Sequence, residues 1–141
     1  MTDRARLARI MRVKERVRDA RAGALMEAER DEKAAAESVE AADRQLIRVA
    51  AAYTAPGEMT AGELVHRAQL VSLAKERREV ARLRHEAADE VKAERAVALG
   101  DAQRDVRSLE VVGDRLASQE RRDRDRREQA ASDEHGSRRT G

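Results

Sequence analysis

The chain has 141 residues, the length of one domain, yet 41% of them are charged, and it contains one tyrosine and no phenylalanine, tryptophan or cysteine. This composition cannot fill a thick globular core, and the lack of cysteine excludes disulfides and thiol chemistry. The 30 basic and 28 acidic side chains nearly balance, and alanine, the strongest helix former, is abundant among the rest. Such a sequence is typical of long helices or coiled coils rather than of disordered chains.

The first helix is predicted over residues 3–54. Apolar residues recur at steps of three and four, which places them on one face of a helix. Asp31 and Glu32 interrupt this stripe, and the slip predicts a stutter that changes the supercoil locally. The predicted stripe consists of Leu7, Ile10, Val13, Val17, Ala20, Ala24, Ala28, Ala35, Val39, Ala42, Leu46, Val49 and Tyr53.

Residues 55–59 are predicted to form the loop that reverses the chain. Pro56 lacks an N–H group and disfavours helical backbone at Ala55, so the first helix ends near this point. Thr60 and Glu63 have the spacing of a capping box, which places the start of the second helix at residue 60. A short loop between two amphipathic helices favours antiparallel pairing, so Pro56 marks the bend of a helical hairpin.

The second helix is predicted over residues 60–130, followed by a polar, disordered tail at 131–141. Because this helix is longer than the first, we expect residues after about Leu109 to overhang without a partner in the chain. The predicted fold class is therefore all-α, a long two-helix antiparallel coiled-coil hairpin, with residues 1–130 as one domain. The predicted stripe consists of Leu70, Leu73, Val80, Leu83, Ala87, Val91, Ala98, Ala102, Val106, Leu109, Val112 and Leu116.

Charge changes sign along the first helix. Residues 1–21 hold eight basic and three acidic side chains, a net charge of +5, whereas residues 22–43 hold two basic and seven acidic ones, a net charge of −5. In a hairpin the two termini lie together, so the basic segment neighbours the arginine-rich end of the second helix. A cationic end of this kind favours an acidic receptor.

Other functional classes find little support. The C-terminal arginines are interleaved with acidic residues and no aromatic residue is near them for stacking, which argues against nucleic-acid binding. His66, His85 and His135 are scattered, and no Gly-rich phosphate loop or triad-like constellation accompanies them. No apolar run is long enough to cross a bilayer, and the alanine-rich faces lack bulky membrane anchors. We expect no enzyme activity, cofactor, metal, nucleic acid or small-molecule substrate.

Three segments of the chain carry a family resemblance. The basic N-terminal helix RLARIMRVKERVRDA, the bend YTAPGEMTAG and the C-terminal run SLEVVGDRLASQERRDRDRREQAASDEHGSRR together resemble the FliJ family of flagellar export proteins, over nearly the full chain. The lack of aromatic residues in the middle and the pair His135-Gly136 depart from the family pattern, and stalk proteins of virulence secretion share the same design. The most specific matches are Leu109-Glu110, Arg121-Arg122, Arg127-Glu128, Asp133-Glu134 and Arg138-Arg139.

The resemblance implies a coiled-coil stalk similar to the γ subunit of rotary ATP synthases. Its terminal end would enter the pore of the hexameric export ATPase, while the chain would also contact the cytoplasmic domain of the export gate and escort export chaperones. The implied location is the cytoplasm, peripherally associated with the flagellar export apparatus at the inner membrane. The residues implied for the export gate are His66, Gln69, Leu70, Leu73 and Arg77. Those implied for the ATPase are Arg4, Leu7, Ile10, Arg12, Arg16, Leu109, Arg115, Leu116, Arg121, Arg122 and Arg127.

The alternative is a general coiled-coil scaffold or oligomerisation module without an ATPase partner. In that case the charge gradient would have no dedicated receptor. Reversing the charges of Arg121, Arg122 and Arg127 separates the two hypotheses, because only the stalk would then lose binding to an export ATPase.

Overall fold

The computed structural model describes residues 2–140, which form two α-helices and no strand. Helix α1 spans Asp3–Tyr53 and helix α2 spans Ala61–Thr140. The prediction of an all-α helical hairpin is therefore confirmed. The contacts within the described chain define two units: unit 1 contains residues 2–20 and 100–140, and unit 2 contains residues 21–99. In each unit a segment of α1 packs along a segment of α2.

The seam on α1 follows an unbroken heptad pattern, with half-buried or buried positions at alternating steps of four and three. Glu32 occupies one of these positions between Ala28 and Ala35, so the pattern continues through the region where a stutter was predicted, and that prediction is wrong. The seam positions on α1 are Leu7, Met11, Lys14, Arg18, Arg21, Leu25, Ala28, Glu32, Ala35, Val39, Ala42, Leu46 and Val49.

The seam on α2 has the same periodicity and contains small side chains at its most buried positions. Ala74, Ala102 and Val106 retain 2–5% of their accessible surface, as does Ala28 on α1. Small side chains let the two backbones approach closely, so alanines rather than leucines are the best-buried residues. The seam positions on α2 are Arg67, Val71, Ala74, Ala81, His85, Ala88, Lys92, Leu99, Ala102, Val106, Leu109, Gly113 and Leu116.

Several bulky residues of the predicted stripes lie outside the seam. Lys14, Arg18 and Arg21 occupy the seam instead, because their aliphatic stems can pack on the opposite helix. The charged ends of two of them find partners on α2: Lys14 Nζ pairs with Asp105 Oδ2 at 3.4 Å, and Arg21 Nη1 donates to the Ala98 carbonyl at 2.9 Å. Part of the apolar stripe predicted from periodicity therefore lies in the seam, and the rest forms separate, solvent-exposed strips. The displaced residues, all exposed, are Ile10, Val13, Val17 and Tyr53 on α1 and Leu70, Leu73, Val80, Leu83, Val91 and Val112 on α2.

The turn between the helices is held by side-chain contacts at both ends. Gly57 has a φ of +139°, a conformation that residues with a Cβ rarely adopt. The Glu63 N–H donates to Thr60 Oγ1 at 3.2 Å, and the Thr60 N–H donates to Glu63 Oε2 at 3.4 Å, so both bonds of a capping box are present. Arg67 Nη1 donates to the Ala52 carbonyl at 2.7 Å and satisfies an acceptor in the last turn of α1.

The Arg67–Ala52 contact also fixes the register of the pair. Residues 61–66 of α2, about 9 Å of helix at 1.5 Å per residue, precede this contact and are all exposed. The same offset is seen in unit 1, where Arg4 pairs with Glu120 at 3.4 Å. Pairing therefore extends to Glu120, and the prediction that it ends near Leu109 is wrong because it assumed that both helices leave the turn level.

Helix α2 continues ten residues beyond its predicted end at 130. Residues 131–140 are helical rather than disordered, while the last residue of the predicted tail, Gly141, lies outside the described residues. Gln129 Nε2 donates to Asp133 Oδ1 at 3.2 Å within this segment, and Arg138 and Arg139 carry positive charge near the negative end of the helix dipole. Residues 121–140, which we call the overhang, are all exposed.

Candidate partner-binding surfaces

All residues predicted for the ATPase-binding end lie in unit 1, but they do not share one environment. Leu7, Leu109 and Leu116 are half-buried in the seam, whereas the arginines and Ile10 are exposed. The three leucines therefore support the pairing of the helices rather than offering a free surface. The exposed set is Arg4, Ile10, Arg12, Arg16, Arg115, Arg121, Arg122 and Arg127.

Close packing of α1 on α2 positions the base of the overhang. Leu7 approaches Gly113 so closely that a Cβ added to this glycine would lie 3.4 Å from Leu7 Cδ2. The side chains of Leu7, Met11 and Leu116 line an open groove of about 340 Å³ beside this contact. Arg4 Nη1 pairs with Glu120 Oε2 at 3.4 Å, and beyond Glu120 the described residues of α2 make no hydrogen bond or ion pair with α1.

Most predicted arginines of unit 1 keep their donors available. Among the described residues, Arg12 donates only to the Ala8 carbonyl at 3.4 Å, and Arg121 only to Ser118 Oγ at 3.5 Å. Within residues 2–140, no carboxylate lies within 4.0 Å of the guanidinium groups of Arg12, Arg16, Arg115, Arg121, Arg122 or Arg127. Unit 1 carries 17 basic and 13 acidic side chains, a net charge of +4, whereas unit 2 carries 13 and 15, a net charge of −2. The excess positive charge of the chain thus belongs to unit 1.

Val13 and Val17 were assigned to the seam and missed as surface residues. They lie on the same exposed face of α1 as Ile10, with 57%, 37% and 48% of their surfaces accessible. Their spacing of three and four residues forms a short apolar strip among Arg9, Arg12 and Arg16. The sequence signal for this was already present, because Lys14 and Arg18 continue the heptad that starts at Leu7.

The residues predicted for the export gate lie in unit 2 on α2. His66, Leu70, Leu73 and Arg77 recur at steps of four and three, so they share one face of the helix, and Gln69 is adjacent to it. All five are exposed. The structure therefore brings them together on an accessible helix face.

A polar cluster in the seam of unit 2 has a structural role. Glu32 Oε1 lies 3.0 Å from His85 Nε2, and Glu32 Oε2 lies 3.8 Å from Lys92 Nζ. The hydrogen bond from His85 is the main cause that lowers the pKa of Glu32 below its ordinary value of 4.5, with Lys92 adding a further attraction. The cluster lets a carboxylate occupy the seam and links α1 to α2.

Neither a metal site nor a membrane-spanning segment is found in the described part of the chain. Residues 2–140 contain no group of three or more His, Cys, Asp or Glu side chains placed to hold a metal ion. None of the helices there is both long and apolar enough to cross a bilayer. The surfaces available for function are helix faces and shallow grooves between helices.

Comparison with known proteins identifies a family for this two-helix chain. No curated protein and no solved structure gives a significant match. The family model described as "Flagellar FliJ protein" matches residues 3–141, nearly the whole chain. The chain therefore belongs to the FliJ family.

Proposed function

We propose that this flagellar export component is the coiled-coil stalk that binds the pore of the hexameric export ATPase and escorts export chaperones to the export gate. The observation that carries the proposal is the overhang, a run of twenty exposed helical residues beyond the last ion pair between the helices. A helix that is polar all round and has no partner in its own chain is suited to binding within another protein.

The charge of unit 1 supports the ATPase-binding part of the proposal. Arg121, Arg122 and Arg127 have no acidic partner among residues 2–140, so their donors are available to carboxylates or carbonyls of a ring lumen. The strip of Ile10, Val13 and Val17 adds an apolar contact on α1. Together these residues combine electrostatic steering with a small apolar anchor.

The exposed face that begins at His66 supports the second part, contact with the export gate or with chaperones. Leu70 and Leu73 are 40% and 41% exposed, and Arg77 follows them on the same helix face. This face therefore carries both apolar and cationic groups. Peripheral association with the export apparatus at the inner membrane would follow from these protein contacts. No catalytic step is assigned to this chain, which acts as a binding component.

The test of the stalk function is a charge-reversal experiment with the cognate export ATPase in low salt. Arg121, Arg122 and Arg127 are changed together to glutamate, and we expect the loss of detectable binding with unchanged helicity in circular dichroism. A matched triple reversal of Arg30, Arg44 and Arg48, exposed arginines of unit 2, makes the same change in net charge. It should weaken binding far less.

Retained binding by the Arg121, Arg122 and Arg127 triple variant would reject the pore-end assignment. Equal loss in both triple variants would show that net charge alone drives the interaction. Either result would count against insertion of this end into the pore, whereas a native chain that fails to bind the ATPase would favour the general scaffold.

A further inference from the structure

We propose that a groove along unit 2 docks an amphipathic helix of a partner protein that carries acidic side chains one heptad apart on its contact face. The inference deepens the escort part of the proposed function and rests on it, because an escorted or receiving protein must have a docking surface. It is independent of the ATPase contact in unit 1.

The groove is formed by small residues of α1 and larger residues of α2. Ala35, Ser38 and Ala42 lie on one side, Leu73 and Val80 on the other, around an open volume of about 510 Å³. Small side chains two turns apart leave room for the backbone of a third helix to approach. The geometry thus fits a helix lying along the pair.

A second heptad stripe on α2 runs along this groove and extends past both of its ends. Its members recur at steps of three and four, the spacing of a coiled-coil seam, but this stripe is not covered by α1. Leu70, Leu73, Val80 and Val91 keep 40–46% of their surfaces exposed. A third helix would cover them. The complete stripe is Leu70, Leu73, Arg77, Val80, Arg84, Ala87 and Val91.

Two arginines in the stripe define the charge of the occupant. Arg77 and Arg84 line the groove and are seven residues apart, about 10.5 Å along the helix. Glu76 is the one acidic side chain among the described residues that line the groove, so the lining as a whole stays positively charged. In the described chain neither pairs with a carboxylate, whereas their neighbours Arg78 and Arg82 are already paired with Asp43 and with Glu79 and Glu86. Covering an unpaired guanidinium is unfavourable, so a helix that docks here must supply acidic groups opposite both positions.

The same charges argue against a second copy of this chain as the occupant. The other exposed apolar strip, at Ile10, Val13 and Val17, is flanked by arginines, and the second stripe itself contains Arg77 and Arg84. Docking either of these onto the groove would place like charges opposite each other. Neither of these two strips has the acidic and apolar face that the groove requires, so we assign the occupant to another protein.

Fluorescence at the groove tests the proposal, because the chain has no native cysteine and a single one can be labelled cleanly. The reporter is placed by Ser38→Cys in the groove, and the matched control by Ser72→Cys on an exposed position of α2 that does not line it. The probe is a synthetic amphipathic helix of about three heptads with Leu and Ala in its seam and Glu at two seam positions seven residues apart. A second peptide carries Lys at those two positions.

We expect the Glu peptide to cause a saturable emission change at position 38 and none at position 72, with the Lys peptide binding at least about tenfold more weakly. The double variant Arg77→Glu, Arg84→Glu should reverse this preference. Equal binding of the two peptides, no response at position 38, or an equal response at position 72 would overturn the proposal. A concentration-dependent change at position 38 without peptide would assign the groove to a second copy and overturn it as well.

Failure of this proposal is distinguishable from failure of the stalk function. The peptide assay contains no ATPase, and the Arg77→Glu, Arg84→Glu variant leaves every residue of unit 1 unchanged. It should therefore bind the export ATPase as the native chain does, even when its peptide preference is reversed.

Discussion

Two valines of α2 test the register of the helix pair, because apolar periodicity assigns both to the seam and the structure assigns only one. Val106 is 3% exposed, whereas Val112 is 42% exposed. Truncation of Val106 to alanine removes two buried methyl groups, about 1.6 kcal/mol at 0.8 kcal/mol per group, and leaves a small cavity. The higher helix propensity of alanine returns about 0.5 kcal/mol. We expect Val106→Ala to lower the free energy of unfolding by about 1–1.5 kcal/mol.

The matched variant, Val112→Ala, loses only the covered part of the same surface and creates no enclosed cavity. After the same propensity gain, its expected destabilisation is below about 0.5 kcal/mol. Urea unfolding followed by far-UV circular dichroism measures both, provided that the dependence of the free energy on urea is the same in each variant. Equal destabilisation of the two variants would refute the heptad register described for unit 1.

Three further variants test other features of the structure. Because the pKa of Glu32 is lowered, its stabilising contribution is present above the unfolded value near 4.5 and is lost as the pH falls through the folded value. Between about pH 6 and about pH 3, the melting temperature should therefore fall less steeply in Glu32→Gln than in the native chain. Parallel curves for the two proteins would exclude this role of Glu32. Gly57→Ala should destabilise the hairpin by about 1–3 kcal/mol in urea unfolding, because Gly57 has a φ of +139°. The matched variant Gly62→Ala, in the first turn of α2, should be neutral or stabilising. Equal effects of the two variants would contradict the turn geometry. Truncation after Glu120 removes the overhang, whose residues 121–140 are all exposed, so the melting temperature should stay within about 1–2 °C, and a larger fall would show that the overhang packs on the pair.

The sequence was sufficient to predict the two helices and the position of the turn. Pro56 and the Thr60–Glu63 spacing are local signals, and local signals act through the backbone of the residues that carry them. The end of α2 was harder to predict, because the overhang has no apolar face and its helix depends on propensity and on pairs such as Gln129–Asp133.

The faces that meet could not be read from hydrophobicity alone. Several bulky apolar residues, such as Leu73 and Val80, lie in the second stripe, whereas the seam contains Lys14, Arg21 and Glu32. Long charged side chains can pack their aliphatic stems against the opposite helix, and alanine lets the two backbones approach closely. Both kinds of residue are therefore compatible with a two-helix seam. The seam on α1 is obtained by counting alternating steps of four and three residues from Leu7, whatever residue type stands at each position. The register further depends on the six-residue offset after the turn, which no local motif encodes.

The contact between the Arg67 guanidinium and the Ala52 carbonyl closes the hairpin without using the peptide of the turn itself. Apart from Gly57 in the turn and Thr60 and Glu63 at the cap, the exposed residues between these two positions therefore make no contact that holds the helices together. A short affinity epitope inserted next to Glu58 would thus be carried on a solvent-facing link. Purification or imaging tags could be placed there while the overhang and the start of α1 stay unmodified.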